Sequence, residues 1–198
     1  MVRFNIAFFP ALLYYMDKPW IVCGDILGWP AGGSRSQANR RNIMEKIAIL
    51  RWESGHVPQG LMQLEQLPGN STNPASYPFP VKLVEVKGAN TDTVILHPSQ
   101  KLLEDMIQLA KELEKEGVRA ITTSCGFNAI FQEALANAVK IPVFTSSLLQ
   151  VPFAQALVGR DRAVGVITAS ASSLSEKHLR ACGITDEMHP IVMGLENA

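Results

Sequence analysis

The chain changes its hydrophobic period once, abruptly, in a way that leaves few folds open. Val118 to Thr123 is a short β-rich run launched by Gly117, and from Phe127 onward Phe127, Ile130, Phe131, Ala134, Leu135 and Ala138 recur at helical spacing. A buried strand therefore runs into a helix through Ser124, Cys125 and Gly126. That turn presents a thiol to the first free N–H groups of a helix, where negative charge is favoured, so the Cys125 pKa is expected to fall. Gly126 lets the backbone pass close to a bound ligand. A free cysteine is also among the most often buried residues, and the turn alone does not choose between a reactive Cys125 and a packed one.

The same alternation repeats along the chain. Ile47 to Trp52 reads as a continuous apolar strand, and Phe79 to Val86 as a second, with Pro78 and Pro80 at its entrance. Ser99 caps a helix running to about Glu116, with Leu103, Met106, Ala110 and Leu113 as its apolar stripe. After the Cys125 helix, Ile141 to Thr145 is a strand. Ser146 and Ser147 cap a helix packing through Leu148, Leu149, Phe153, Ala156 and Leu157, with Pro152 in its first turn. Ala163 to Thr168 is a strand, Leu174 to Cys182 a helix, and His189 to Leu195 one last strand. Strands alternating with helices imply an α/β fold, a parallel sheet flanked by helices, with ligands at the carboxyl ends of the strands. Cys125, Ser146, Ser147 and the segment Thr168 to Ser173 all follow strands and are expected to converge there. The small hydroxyl residues from Ala169 to Ser173 read either as an anion site or as a plain helix cap.

Composition excludes several classes. The chain has 198 residues, a formal net charge of zero and no Lys/Arg-rich run, so neither nucleic acid nor an anionic membrane is an expected partner. Three cysteines, Cys23, Cys125 and Cys182, are too few and too scattered for a disulfide framework or a zinc cluster, which suits a reducing cytoplasm. His56 stands without a second histidine at ligand spacing, and no metal is expected. Residues 1–45 do not fit the rest: Phe4 to Met16 is an apolar run too short to span a bilayer, and Gly32 to Arg41 reads as a polar linker. Translation from Met44 would remove the first 43 residues. The expected organisation is an extra segment over 1–45, a first α/β lobe over 46–146 carrying Cys125, and an incomplete second lobe over 147–198.

Thr122-Thr123-Ser124-Cys125-Gly126-Phe127-Asn128-Ala129 resembles the first cysteine motif of the aspartate/glutamate/hydantoin racemase superfamily. Lys46 to Arg51, Pro68 to Asn70, Tyr77 to Val81, Ile141 to Ser147 and Ala163 to Thr168 resemble further segments, so the likeness covers about residues 46 to 195. It implies a cofactor-independent racemase acting on a small carboxylate or hydantoin, with Cys125 as the thiolate that moves the Cα proton, and possible homo-oligomers. It also implies that substrate is bound by Ser54, Asn70 and Thr72 in the long segment Glu53 to Ser76, by Ser124, Gly126, Phe127 and Asn128 around the thiol, and by Ser146 and Thr168. Glu53 belongs to the same group of candidates, and each loop residue is equally read as a solvated turn.

The chain departs from that pattern at one point. Racemisation needs a base on one face and a proton donor on the other, and the family's second cysteine motif has no match here. Cys182 lies at a helix end and reads as structural, so the expectation is a C-terminally truncated chain with one of the two thiols. Two alternatives stand beside it. One is a cysteine-nucleophile hydrolase, for which His97 and His178 are the available partners; the other is a non-catalytic ligand-binding remnant.

Overall fold

Strands buried on both faces read as unbroken apolar runs, and β1 (Lys46–Trp52) is such a strand: Ile47, Ala48, Ile49 and Leu50 are all buried. The computed structural model describes residues 46–53, 55 and 59–196, so the expectations placed on residues 1–45, on Ser54 and on His56 lie outside the described residues. β1 is flanked by parallel partners on both sides, β2 (Val81–Val86) and β3 (Val118–Thr123), and β3 pairs in parallel with the short β4 (Val143–Phe144). The strand order is β2-β1-β3-β4. The expected α/β fold is thus present: a four-stranded parallel sheet flanked by helices.

The helices are α1 (Gln59–Leu64), α2 (Gln100–Lys115), α3 (Gln132–Ala138), α4 (Gln150–Val158) and α5 (Glu176–Ala181). In α2 the Ser99 hydroxyl accepts a hydrogen bond from Leu102 N at 3.3 Å, and Gly117 takes φ +88° just beyond the helix end. Leu102, Met106, Ala110 and Leu113 form its buried face, with Leu102 rather than Leu103 at the bottom of the stripe. Leu102, Met106 and Leu113 each contribute about 1.5–3 kcal/mol by leaving water, which fixes α2 against the sheet.

Several boundaries move for identifiable reasons. β2 begins at Val81, because Pro78 and Pro80 cannot donate to a ladder. The segment from Glu53 to Ser76 is not simply loop, since it holds α1 and a 3₁₀ turn at Pro74–Ser76 capped by Asn73. Asp92–Leu96, in what reads as a polar connection, forms a π-helical turn that buries Val94. The strand after the Cys125 helix shortens to Val143–Phe144, and Phe153 and Leu157 on α4 are 57% and 69% exposed rather than packed.

The sheet also does not continue. β5 (Gly165–Thr168) and β6 (Ile191–Gly194) pair in parallel as a separate two-stranded sheet. A second core of Ala129, Leu148, Val151, Cys182 and Ile184 lies beneath it, with Val164 and Val166 packed on that core. No helix among the described residues is long and apolar enough to cross a membrane.

Candidate active site

In the order β2-β1-β3-β4 the chain leaves β1 toward one side of the sheet and later builds on the other. β1 and β3 therefore flank the point where the topology reverses, and open α/β sheets bind ligands outside the carboxyl ends of their strands at such a point. A cavity of about 440 Å³, the size of a small-molecule site, opens there. Arg51 and Trp52 enter it from the end of β1, Ser124 to Phe127 from the end of β3, Ser146 to Leu148 from the end of β4, and Thr168 and Ala169 from the end of β5. The segment after β1 contributes Glu65, Asn70, Ser71 and Thr72.

Cys125 takes an extended backbone conformation just ahead of a 3₁₀ helix at Gly126–Phe131, which passes into α3. The first turns after the thiol are therefore tighter than the α-helix that the spacing suggests. A hydrogen bond from Ser124 N to Leu50 O at 2.8 Å ties the turn to β1, and the Thr123 hydroxyl donates to Cys125 O at 3.0 Å and Thr145 O at 2.6 Å. A methyl group on Gly126 would come within 3.4 Å of the Ser146 hydroxyl, so the turn and the end of β4 lie in close apposition.

The expected fall in the thiol pKa is reversed. Burial raises Cys125 above the ordinary thiol range, and this outweighs the opposing pull of the Phe127 N–H, the Trp52 indole and the Asn128 N–H. Helix-terminal donors favour the thiolate as expected, but desolvation is the larger effect in a half-enclosed site.

Of the residues expected to meet substrate, Cys125, Asn70, Thr72, Ser124, Gly126, Phe127, Ser146 and Thr168 all line the cavity. Asn128 does not: its side chain is buried elsewhere, and its backbone N–H bonds Cys125 O at 3.1 Å. Asn70 Oδ1 accepts from both Thr72 N and the Thr72 hydroxyl at 2.8 Å, so it shapes the loop. Ser146 Oγ accepts from Leu148 N at 3.2 Å as a cap. Glu53 accepts from Gly88 N at 2.9 Å and stands outside the cavity wall.

The anion cradle at Ala169 to Ser173 already holds a carboxylate from the chain itself. Glu196 accepts from Ala171 N at 2.9 Å and Ser172 N at 3.3 Å. Neither His97 nor His178 is a partner of the thiol. His97 is exposed and paired with Asp92 at 2.8 Å. His178 is buried, its Nδ1 taking the Ser175 hydroxyl at 2.8 Å and its ring standing edge-on to Phe127. Cys182 is buried in the second core, with its thiol pushed up to about 11.

Residues at the end of β1 were not signalled by pattern. Arg51 bridges Glu65 at 3.6 Å and Glu85 at 2.8 Å, and Trp52 sits in the wall beside it. A polar residue closing an apolar strand reads simply as a strand end. The usable signal was the register, since β1 and β3 are neighbours and the end of one must lie beside the end of the other.

No family model matches the chain. It is 30% identical over 155 residues to the dimethylsulfoniopropionate lyase of Durusdinium sp. clade D, across 72% of this chain and 50% of that protein. It is 30% identical over 137 residues to dimethylsulfoniopropionate lyase 6 of Emiliania huxleyi (strain CCMP1516), across 65% of this chain and 35% of that protein. To dimethylsulfoniopropionate lyase 5 of the same organism it is 31% identical over 132 residues, across 62% and 26% respectively. The chain thus spans half or less of the length of these curated relatives.

These names overturn the racemase expectation and the isomerase class with it, and neither the hydrolase nor the non-catalytic alternative agrees with them. The physical reason is that a cysteine motif after a central strand places a thiol without choosing the bond it works on. Among the described residues one thiol, Cys125, lines the cavity, whereas inversion at a carbon needs a group on each face.

Proposed function

We propose that this chain is a carbon–sulfur lyase acting on a small sulfonium carboxylate of the dimethylsulfoniopropionate type, with Cys125 as the base. The observation that carries the reading is the set of ionisable groups in the cavity wall: Arg51, Glu65 and Cys125. Arginine keeps its proton, and Glu65 is held by Arg51 at 3.6 Å, which leaves the thiol. The names of the relatives supply the substrate class.

Elimination of a sulfonium β to a carboxylate asks for a single base. The proton leaves the carbon beside the carboxylate, its electron pair forms the carbon–carbon double bond, and the carbon–sulfur bond breaks with its pair going to sulfur. Dimethyl sulfide departs neutral, so no acid has to protonate the leaving group. A site with one thiol suits this reaction as it does not suit inversion. The aromatic faces of Trp52 and Phe127 offer the sulfonium a cation–π surface. Arg51, with the hydroxyls of Ser124, Ser146 and Thr168, offers donors to the carboxylate.

The test is to incubate the purified chain with dimethylsulfoniopropionate and follow dimethyl sulfide in the headspace and acrylate by proton NMR. Cys125→Ala is expected to lower the rate by about 10²–10⁴-fold. No dimethyl sulfide from the wild-type chain, or an undiminished rate in Cys125→Ala, would overturn the reading.

A further inference from the structure

The β1–β3 register pairs Leu50 with Thr123, and continued by two residues it sets Trp52 beside Cys125. Both residues line the cavity and both pack on the same core. The Trp52 indole nitrogen is nevertheless buried without a hydrogen-bond partner of ordinary geometry. A buried tryptophan N–H usually finds an acceptor, and an orphaned one calls for a reason. The atom is out of reach of solvent, so a molecule in the cavity does not reach it either. The group beside it is the Cys125 sulfur, which feels the pull of the indole N–H.

We propose that Trp52 is a positioning residue for the thiolate of Cys125: its indole N–H stands without an acceptor while the thiol is protonated and becomes a donor to the sulfur once the proton has left. This rests on the reading of Cys125 as the working thiol. A thiol sulfur is a weak acceptor and a thiolate a strong one, so the same unmoved N–H gains its partner on ionisation. The backbone N–H groups of Phe127 and Asn128 also favour the thiolate, against the burial that favours the thiol. The remaining charged groups in the wall are Arg51 and Glu65, bridged to one another at 3.6 Å, and the buried His178 stands behind Phe127. Trp52 thus places a neutral, fixed dipole where water has been excluded, and it does so without adding a charge that would attract the wrong substrate.

The test is the pH dependence of Cys125 alkylation by iodoacetamide, read on its own peptide by mass spectrometry. Trp52→Phe keeps a ring and deletes the donor, and the alkylation midpoint is expected to rise by about one pH unit. An unchanged midpoint in a variant whose Cys182 stays protected would overturn the proposal. A measurement on the intact protein covers the case of a variant that does not fold. Tryptophan fluorescence of the wild type should titrate with the midpoint found for alkylation, and that titration should vanish in Cys125→Ser. Fluorescence that ignores Cys125 ionisation would equally overturn it. Neither readout needs lyase activity, so a shifted midpoint without dimethyl sulfide release strikes the lyase reading alone, and release without a shift strikes this one alone.

Discussion

The end of β4, beside the turn that carries the thiol, is clamped by one amide side chain, and removing it should cost more than any surface change in this chain. Gln132, at the start of α3, is buried and reaches across to the end of β4. Its Nε2 donates to Val143 O at 2.9 Å, and its Oε1 accepts from Thr145 N at 2.9 Å and from the Thr145 hydroxyl at 2.8 Å. Gln132→Leu keeps nearly the same volume and deletes all three bonds. It leaves a carbonyl, an amide N–H and a hydroxyl without partners in a site where Thr145 has no exposed surface. At about 1–3 kcal/mol for each orphaned group, and with partial relaxation, the expected loss is about 3–5 kcal/mol. That is a large part of the roughly 5–15 kcal/mol that holds a typical domain together.

The assay is equilibrium unfolding in urea, with the midpoint and slope fitted for both proteins. Thr145→Val is the control: it removes one donor, leaves the amide bonded to Gln132, and should cost about 1 kcal/mol. The double variant should lose less than the sum, because one of the orphaned groups is no longer there. A Gln132→Leu protein within about 1 kcal/mol of wild type would refute the reasoning, since it would mean these buried groups find other partners. Ser146 follows Thr145 directly and forms part of the cavity wall, so the same variant should also disturb the site.

Three further outcomes follow from buried or uncovered side chains. Burial lowers the His178 pKa, so the unfolded chain binds the proton more readily and stability should fall as pH drops below about 6.5; His178→Gln, which keeps the capping pattern with Ser175, should flatten that acid limb in thermal melts. Burial raises Cys182 to about 11, so the unfolded chain ionises first and stability should fall by roughly 2–3 kcal/mol as pH rises from about 8.5 to that value; Cys182→Ala should abolish the slope. The outer face of the two-stranded sheet exposes Ile191 and Met193 at 62% and 61%, beside Ile167 and Leu195, and parallel strands are ordinarily covered on both faces; Ile191→Lys with Met193→Lys should shift sedimentation toward monomer relative to a self-associating wild type.

The parallel α/β layering was legible because its signals are local. Ile47 to Leu50 is apolar without alternation, the α2 stripe has helical spacing, and the period switches at Cys125 with a glycine behind it. The placement of Ser146 beyond the end of β4 followed from strand polarity, whereas Thr168 reaches the same cavity from a separate two-stranded sheet that polarity does not foresee. Three things were not legible. Periodicity shows which face of a helix is apolar but not what covers it, so Phe153 and Leu157 read as core and are exposed. Gln132 stands off the apolar stripe of Phe127 to Ala138 and carries no pattern of its own, and only β4 beside it makes it a clamp. The thiol pKa was argued from the donors a helix start provides, whereas its sign is set by how much water the assembled walls exclude.

That reversed sign bears on how a single thiol could work as a base. A neutral, desolvated thiol is a poor base at rest, and a thiolate formed in such a place is a stronger one, because the environment that resists its formation also favours its taking a proton back. What is needed is a positive charge that arrives only with the substrate. A sulfonium about 5 Å from the sulfur, at an effective dielectric of about 20, favours the thiolate by about 3 kcal/mol. That is about two pKa units, acting against the direction in which burial moves the thiol. The substrate would then ionise its own base, and the thiol would stay protonated and unreactive toward small neutral electrophiles in its absence. The consequence is a difference between two pH profiles of the lyase reaction. kcat/KM reports the free protein and should keep rising above the ordinary thiol pKa of about 8.5, while kcat reports the bound complex and should level off at lower pH. Coincident profiles would mean that the substrate cation lies too far from Cys125 to act on it.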